Sequence, residues 1–294
     1  MADKSGNRGG KAMDKVEAKD KQHKSWTLVA PGWGKYDPLM CAWAAPVTER
    51  MIALAAIRAG SRVLDIACGA GEPALTVAEK VGPTGAVLAT DFVEEMVNFA
   101  RSKAQARALT NIEFRCVDGE ALDAPDGAFD AVTMRWGLMF MPDPVACMRR
   151  VHAALKPGGK VVVCCWTEAA KNPFVTVPLG VLQRHMEVPQ PPAGAPGIFA
   201  LASPDRLRQV FADAGFRNVA IEQVTLPMAD FATGAEYDVF IRELAGPVAS
   251  LFVQLPAQTQ EIVKQEIARD AEAFSATPGR VVLHGITHVA VGTR

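Results

Sequence analysis

Between Ser61 and Trp166 the chain alternates short apolar runs with amphipathic stretches. SRVLDIA (61–67), AVLAT (86–90), Ile112–Val117, Phe129–Met134 and KVVVCCW (160–166) are brief apolar runs bounded by Gly, Asp or Pro. Such runs read as buried strands. Between them, Glu72–Val81, Val93–Ala108 and Pro144–Leu155 space their apolar residues as helices do, and Lys156-Pro157-Gly158-Gly159 closes the last of these. Two further strands are expected at Asn218–Leu226 and at 280–291 (RVVLHGITHVAV). Strands alternating with helices predict an α/β fold: a doubly wound, seven-stranded, mostly parallel sheet with helices on both faces.

The flanks are less regular. Residues 1–24 are rich in Lys, Asp and Gly and read as a flexible charged tail, helical from about Met13. Residues 25–59 form an N-terminal helical cap segment carrying Trp26, Trp33, Tyr36 and Trp43, with a helix expected to start at Pro46 in PVTERMIALAAI. The core covers 60–170. Residues 171–201 are rich in Pro, Gly and Ala but also apolar, which predicts an irregular, packed lid. The remainder of the core, 202–294, opens with a helix at Ser203–Ala214, capped by Ser203, and holds a helical insertion at about 235–275.

Composition narrows the field. The net charge is -1, and hydrophobic residues make up 49% of the 294 positions. That balance argues against a nucleic-acid surface. The six cysteines show no C-x-x-C pair and no nearby His cluster, so no metal site is expected and reduced thiols in a cytoplasmic protein fit best. No signal-peptide core and no apolar run of membrane-spanning length is expected.

The chemistry concentrates in Val63-Leu64-Asp65-Ile66-Ala67-Cys68-Gly69-Ala70-Gly71-Glu72-Pro73. A strand ends there, a glycine-rich turn follows, and a helix begins. The turn alone also matches the G-x-G-x-x-A dinucleotide pattern. Acids decide between the readings. Asp65 stands four residues before Gly69, where it would repel a pyrophosphate but attract an ammonium. Asp91 follows the second strand, where its two oxygens can accept ribose hydroxyls. Asp118 follows the third and can accept from an adenine amino group. Three acids at successive strand ends point to a nucleoside carrying an amino acid.

With these residues the chain resembles the class I S-adenosylmethionine-dependent methyltransferases, whose fold is Rossmann-like. Within them it resembles the ubiquinone/menaquinone-biosynthesis type. VLDIACGAGEPAL (63–75), AVLATDFVEEMVNFAR (86–101), IEFRCVDGEAL (112–122), FDAVTMRWGLMFMPDP (129–144) and LKPGGKVVVCCW (155–166) carry the likeness. The resemblance implies transfer of a methyl group from S-adenosylmethionine, leaving S-adenosylhomocysteine. It implies that Asp65, Ala67, Gly69 and Gly71 line the methionine and ribose side. Asp91 would take the ribose hydroxyls, with Phe92 and Met96 beside the adenine. Asp118 and the Gly119 N–H would take the adenine edge. Arg135 and Trp136 would sit near the transferable methyl, and Tyr36 would close over the methionine carboxylate. Ala67 departs from the family, which often has Gly there.

The apolar lid and helical insertion imply a small, fairly apolar acceptor such as a quinone, phenol or natural product. If the acceptor must lose a proton, His185 in the lid is the candidate base, against a packing histidine as the plainer reading. Two rivals stay open: an S-adenosylmethionine-binding protein without methyl transfer, structural or regulatory, and a nicotinamide-dependent oxidoreductase.

Overall fold

The computed structural model describes residues 6–188 and 194–294. Residues 1–5 of the charged tail and 189–193 of the expected lid lie outside the described residues. The strands are β1 (Arg62–Ile66), β2 (Ala86–Asp91), β3 (Ile112–Cys116), β4 (Phe129–Arg135), β5 (Leu155–Trp166), β6 (Arg217–Phe231) and β7 (Val281–Thr293). They form one open sheet in the order β3-β2-β1-β4-β5-β7-β6. All pairs are parallel except those of β7, which runs antiparallel to both β5 and β6. Consecutive strand residues point to opposite faces, and Val63, Leu64, Asp65 and Ile66 are all buried, so β1 is covered on both sides. The same holds for Val161–Trp166 of β5. The strand order reverses between β1 and β4, the place where open α/β sheets form a crevice.

The helices are α1 (Gly6–Lys35), α2 (Asp37–Leu54), α3 (Ala74–Val81), α4 (Glu94–Ala106), α5 (Pro144–Ala154), α6 (Pro173–His185), α7 (Pro204–Asp213), α8 (Gly234–Leu244), α9 (Gly246–Phe252) and α10 (Ala257–Phe274). The crossovers α3 and α4 pack on β1–β3, and α5 and α7 pack on the strands from β5 to β6. Asp143 caps α5 by accepting from the Ala146 N–H at 2.9 Å.

Several elements differ from the sequence pattern. The helix expected to start at Pro46 starts at Asp37, with Pro38 in its first turn and Pro46 inside it. An interior proline costs about 3 kcal/mol. Burial of Met40, Trp43, Val47, Met51 and Ile52 along one side of the helix offsets that cost. The segment expected to be an irregular lid contains α6, started by Pro173 and buried through Phe174, Val175, Val181 and Leu182. The helix expected from Glu72 begins at Ala74, because a residue before proline is steered out of the helical region. The insertion is three helices, and Thr233 with Glu236 forms a capping box at the first. The charged N-terminal stretch is helical from Gly6, and α1 lies against α2, α4, α8 and α9.

Candidate active site

β1 feeds the chain into a turn in which Ala67, Gly69 and Gly71 have φ of 57°, 52° and 115°. A Cβ added at Gly69 would meet nothing within 4 Å, so the glycine leaves backbone open to the crevice. The turn is tied to the end of β2. Asp91 Oδ2 accepts from the Gly69 N–H at 2.9 Å, and Oδ1 accepts from the Val93 N–H at 3.0 Å. Burial pushes the Asp91 carboxyl up, against those N–H bonds. Each oxygen retains a second lone pair, so Asp91 can still accept from hydroxyls. A second tie comes from α4. Lys103 Nζ donates to Ala70 O at 2.9 Å and to Asp37 Oδ1 at 2.6 Å.

The turn opens into a cavity of about 330 Å³. Of the residues expected to hold a cofactor, Ala67, Gly69, Asp91, Phe92, Met96, Asp118, Gly119, Arg135 and Trp136 line it. Asp65, Gly71 and Tyr36 are not on its wall. Asp65 lies beneath the turn, 0% exposed, where Oδ1 accepts from the Thr133 hydroxyl at 2.5 Å and Oδ2 has no partner. Its burial pushes the carboxyl up to about 7. Gly71 faces the core, since a Cβ there would stand 2.7 Å from Leu75 Cδ1. Tyr36, expected over the methionine carboxylate, instead packs edge-on against Phe240 at 5.0 Å, because the junction of α1 and α2 sets its ring against α8.

Near Asp91, Phe92 and Asp118 the cavity is also lined by Lys19, His23 and Trp26 of α1. Lys19 Nζ donates to Asp118 Oδ2 at 2.5 Å and lies 2.8 Å from Glu120. Partial burial works against the Lys19 charge, but the two acids outweigh it and hold the ammonium above the usual lysine range. His23 stands edge-on to Phe92 at 5.5 Å.

The other end is apolar. Trp136 stacks on Trp166 at 4.6 Å and donates from Nε1 to the Thr287 hydroxyl at 3.0 Å. Phe174, Met228 and Phe240 continue that wall. Arg135, at the end of β4, is 9% exposed. It donates to the Thr48 hydroxyl at 3.0 Å and lies 5.0 Å from the Trp136 ring.

His185 does not reach the cavity. It ends α6 with Nε2 3.0 Å from Glu266 Oε2 on α10, where Arg184 also bonds the acids of that helix. Sequence reasoning missed Lys19, Thr48, Trp166 and Phe240. Trp166 and Phe240 sit in runs that look like ordinary core, and Lys19 sits in a stretch of mixed charge. The helical spacing of Lys19, His23 and Trp26 along one side of α1 was the available signal.

The pattern of the ubiE/COQ5 methyltransferase family matches residues 42–184. A demethylmenaquinone methyltransferase of Lactococcus lactis is 38% identical over 120 residues, covering 41% of this chain and 46% of its own, so the chain spans about half of that relative's length. One from Shouchella clausii is 34% identical over 185 residues, covering 58% of this chain and 76% of its own. Among solved structures, the YcgJ protein of Bacillus subtilis superposes with a TM-score of 0.56 at 21% identity, over 84% of this chain and 97% of its own.

Proposed function

The chain belongs to the ubiE/COQ5 methyltransferase family, a family of S-adenosylmethionine-dependent methyltransferases, and from that premise we propose that it methylates a flat, largely apolar ring of the quinone or phenol class. The observation that carries the reading is continuity. One cavity joins the glycine turn and the acids at the strand ends to a chamber walled by Trp136, Trp166, Phe174, Met228 and Phe240.

The residues present fit the cofactor. The open backbone at Gly69 suits a close-lying ligand, and the unpartnered Asp65 Oδ2 beneath it suits a cationic group above. Ala67 and Gly69 would hold the methionine and ribose, Asp91 the ribose hydroxyls, Phe92 and Met96 the adenine faces, and Asp118 with Gly119 the adenine edge. When bound, the cofactor supplies an electrophilic methyl on a sulfonium that leaves as a neutral thioether. What the protein adds is placement and exclusion of water, worth up to ~7–11 kcal/mol when reactants are held in line.

The relatives' names point to a quinone-type ring as acceptor. The apolar chamber supports that class and weighs against a protein that binds the cofactor without transfer, which needs no second chamber. The family match weighs against the nicotinamide reading. Among the described residues no helix is long and apolar enough to cross a membrane, and all six cysteines are free, which supports a cytoplasmic setting.

Calorimetry with S-adenosylhomocysteine and with NAD tests the cofactor. Radiolabelled methyl transfer to naphthohydroquinones and phenols tests the acceptor. Tight NAD binding without binding of the homocysteine compound would sink the proposal. Cofactor binding with no transfer to any ring acceptor would leave the rival binder.

A further inference from the structure

Arg135 is a buried cation with unspent hydrogen-bonding capacity. Its guanidinium has five N–H donors. One reaches the Thr48 hydroxyl at 3.0 Å, and one face is covered by Trp136. Among the described residues no carboxylate forms an ion pair with it, although it lines the cavity at 9% exposure. A buried charge is costly unless paired, so such a group favours an anion that enters the cavity.

The geometry points to Arg135 as the residue that binds the acceptor's oxygen as an anion, so that a phenol or hydroquinone is held as its conjugate base. This rests on the function proposed above and adds a role for one side chain. On binding, the acceptor's O–H bond breaks, its electron pair stays on oxygen, and the proton goes to solvent. The anion is the better nucleophile at oxygen or at the conjugated ring carbon. No general base is then required in the chamber, in keeping with the position of His185 outside it. The histidine that does line the cavity, His23, stands at the nucleoside end against Phe92.

The rival anion is the carboxylate of the cofactor's methionine. One observation favours the acceptor. Arg135 adjoins the Trp136–Trp166 stack that walls the apolar chamber.

The test uses para-nitrophenol, whose ionisation is read by absorbance, titrated with the full-length protein saturated with S-adenosylhomocysteine. The wild-type protein is expected to lower the apparent pKa of the bound phenol by about one unit or more, as an opposite charge within 4–6 Å does. Arg135→Met is expected to abolish the shift, and Arg135→Lys, which keeps the charge, to retain part of it. Affinity of Arg135→Met for S-adenosylhomocysteine should stay within about threefold of wild type. Where Arg135→Met lacks a cooperative thermal transition, Arg135→Gln takes its place. A wild-type protein that causes no shift overturns the inference. So does a loss of S-adenosylhomocysteine affinity beyond about tenfold in a folded Arg135 variant, which marks a cofactor ligand. Failure of wild type to bind S-adenosylhomocysteine strikes the function proposal instead, and the same titration without it still reads Arg135.

Discussion

The Thr133 hydroxyl on β4 donates to Asp65 Oδ1 on β1 at 2.5 Å, and no group meets the other oxygen. Burial outweighs that hydrogen bond and the nearby Arg135 charge, raising the carboxyl from 3.8 to about 7. The unfolded chain therefore releases this proton near pH 4, while the folded protein keeps it until about pH 7. Across that window the native state binds more protons, so stability falls as pH rises and levels off above the folded pKa. The loss is up to ~4 kcal/mol. Asp65→Asn should lack this slope, and saturating S-adenosylhomocysteine, whose ammonium favours the ionised acid, should flatten it in wild type. Denaturant titrations of both proteins between about pH 4 and pH 8 check this. Parallel profiles would mean that Asp65 titrates normally.

Asp91 holds the Gly69 and Val93 N–H groups as well as facing the cavity. Asp91→Ala leaves both donors without their acceptor, each costing about 1–3 kcal/mol if buried. We expect lower thermal stability together with at least a ~10-fold loss of S-adenosylhomocysteine affinity, as for a lost charge-assisted hydrogen bond. Asp91→Asn keeps one acceptor oxygen and should recover more stability than affinity. Equal recovery of both would assign Asp91 to the turn alone.

Lys19 occupies the acid that the adenine amino group would use. Cofactor binding must therefore compete with a partly exposed ion pair, which is worth at most ~1 kcal/mol. Lys19→Met should tighten S-adenosylhomocysteine by up to about fivefold at low ionic strength. The advantage should shrink in salt, because screening already weakens the pair in wild type. Calorimetry at two salt concentrations reads both effects. Weaker binding by Lys19→Met would instead make Lys19 a contact of the bound cofactor.

The central strands were legible because parallel strands buried on both faces must be continuous apolar runs, as in Val161–Trp166. The glycine turn and the acids Asp91 and Asp118 were legible because strand ends in such sheets form the crevice. Depth was not. Asp65 has the same strand-end signature as Asp91, yet it points beneath the turn to Thr133, a residue 68 positions away. Nor was α2, whose interior Pro46 mimics a helix start until burial along the whole helix is seen. Arg135 stood out in the sequence, but its partner Thr48 comes from a helix 87 residues earlier, a separation that no local pattern encodes.

Ala67 faces Gly137: a Cβ on Gly137 would stand 2.5 Å from the Ala67 Cβ. Gly137 has φ -98°, an ordinary value, so space rather than backbone conformation demands a glycine there. Gly137→Ala should cost about 1–3 kcal/mol through overpacking. Ala67 itself has φ 57°, so Ala67→Gly relieves strain of about 1–2 kcal/mol while adding freedom to the unfolded chain, and should be close to neutral. Combined with Gly137→Ala, it removes the methyl that the new one strikes. The double variant should thus recover at least ~1 kcal/mol beyond the sum of the single effects, as for residues in contact. Gly69→Ala provides the contrast, since φ of 52° makes it strained while open space makes it free of collision, so Ala67→Gly should not rescue it. Thermal melts of the five variants decide. Additive effects of Ala67 and Gly137 would show that the two residues do not share the space between β1 and the end of β4.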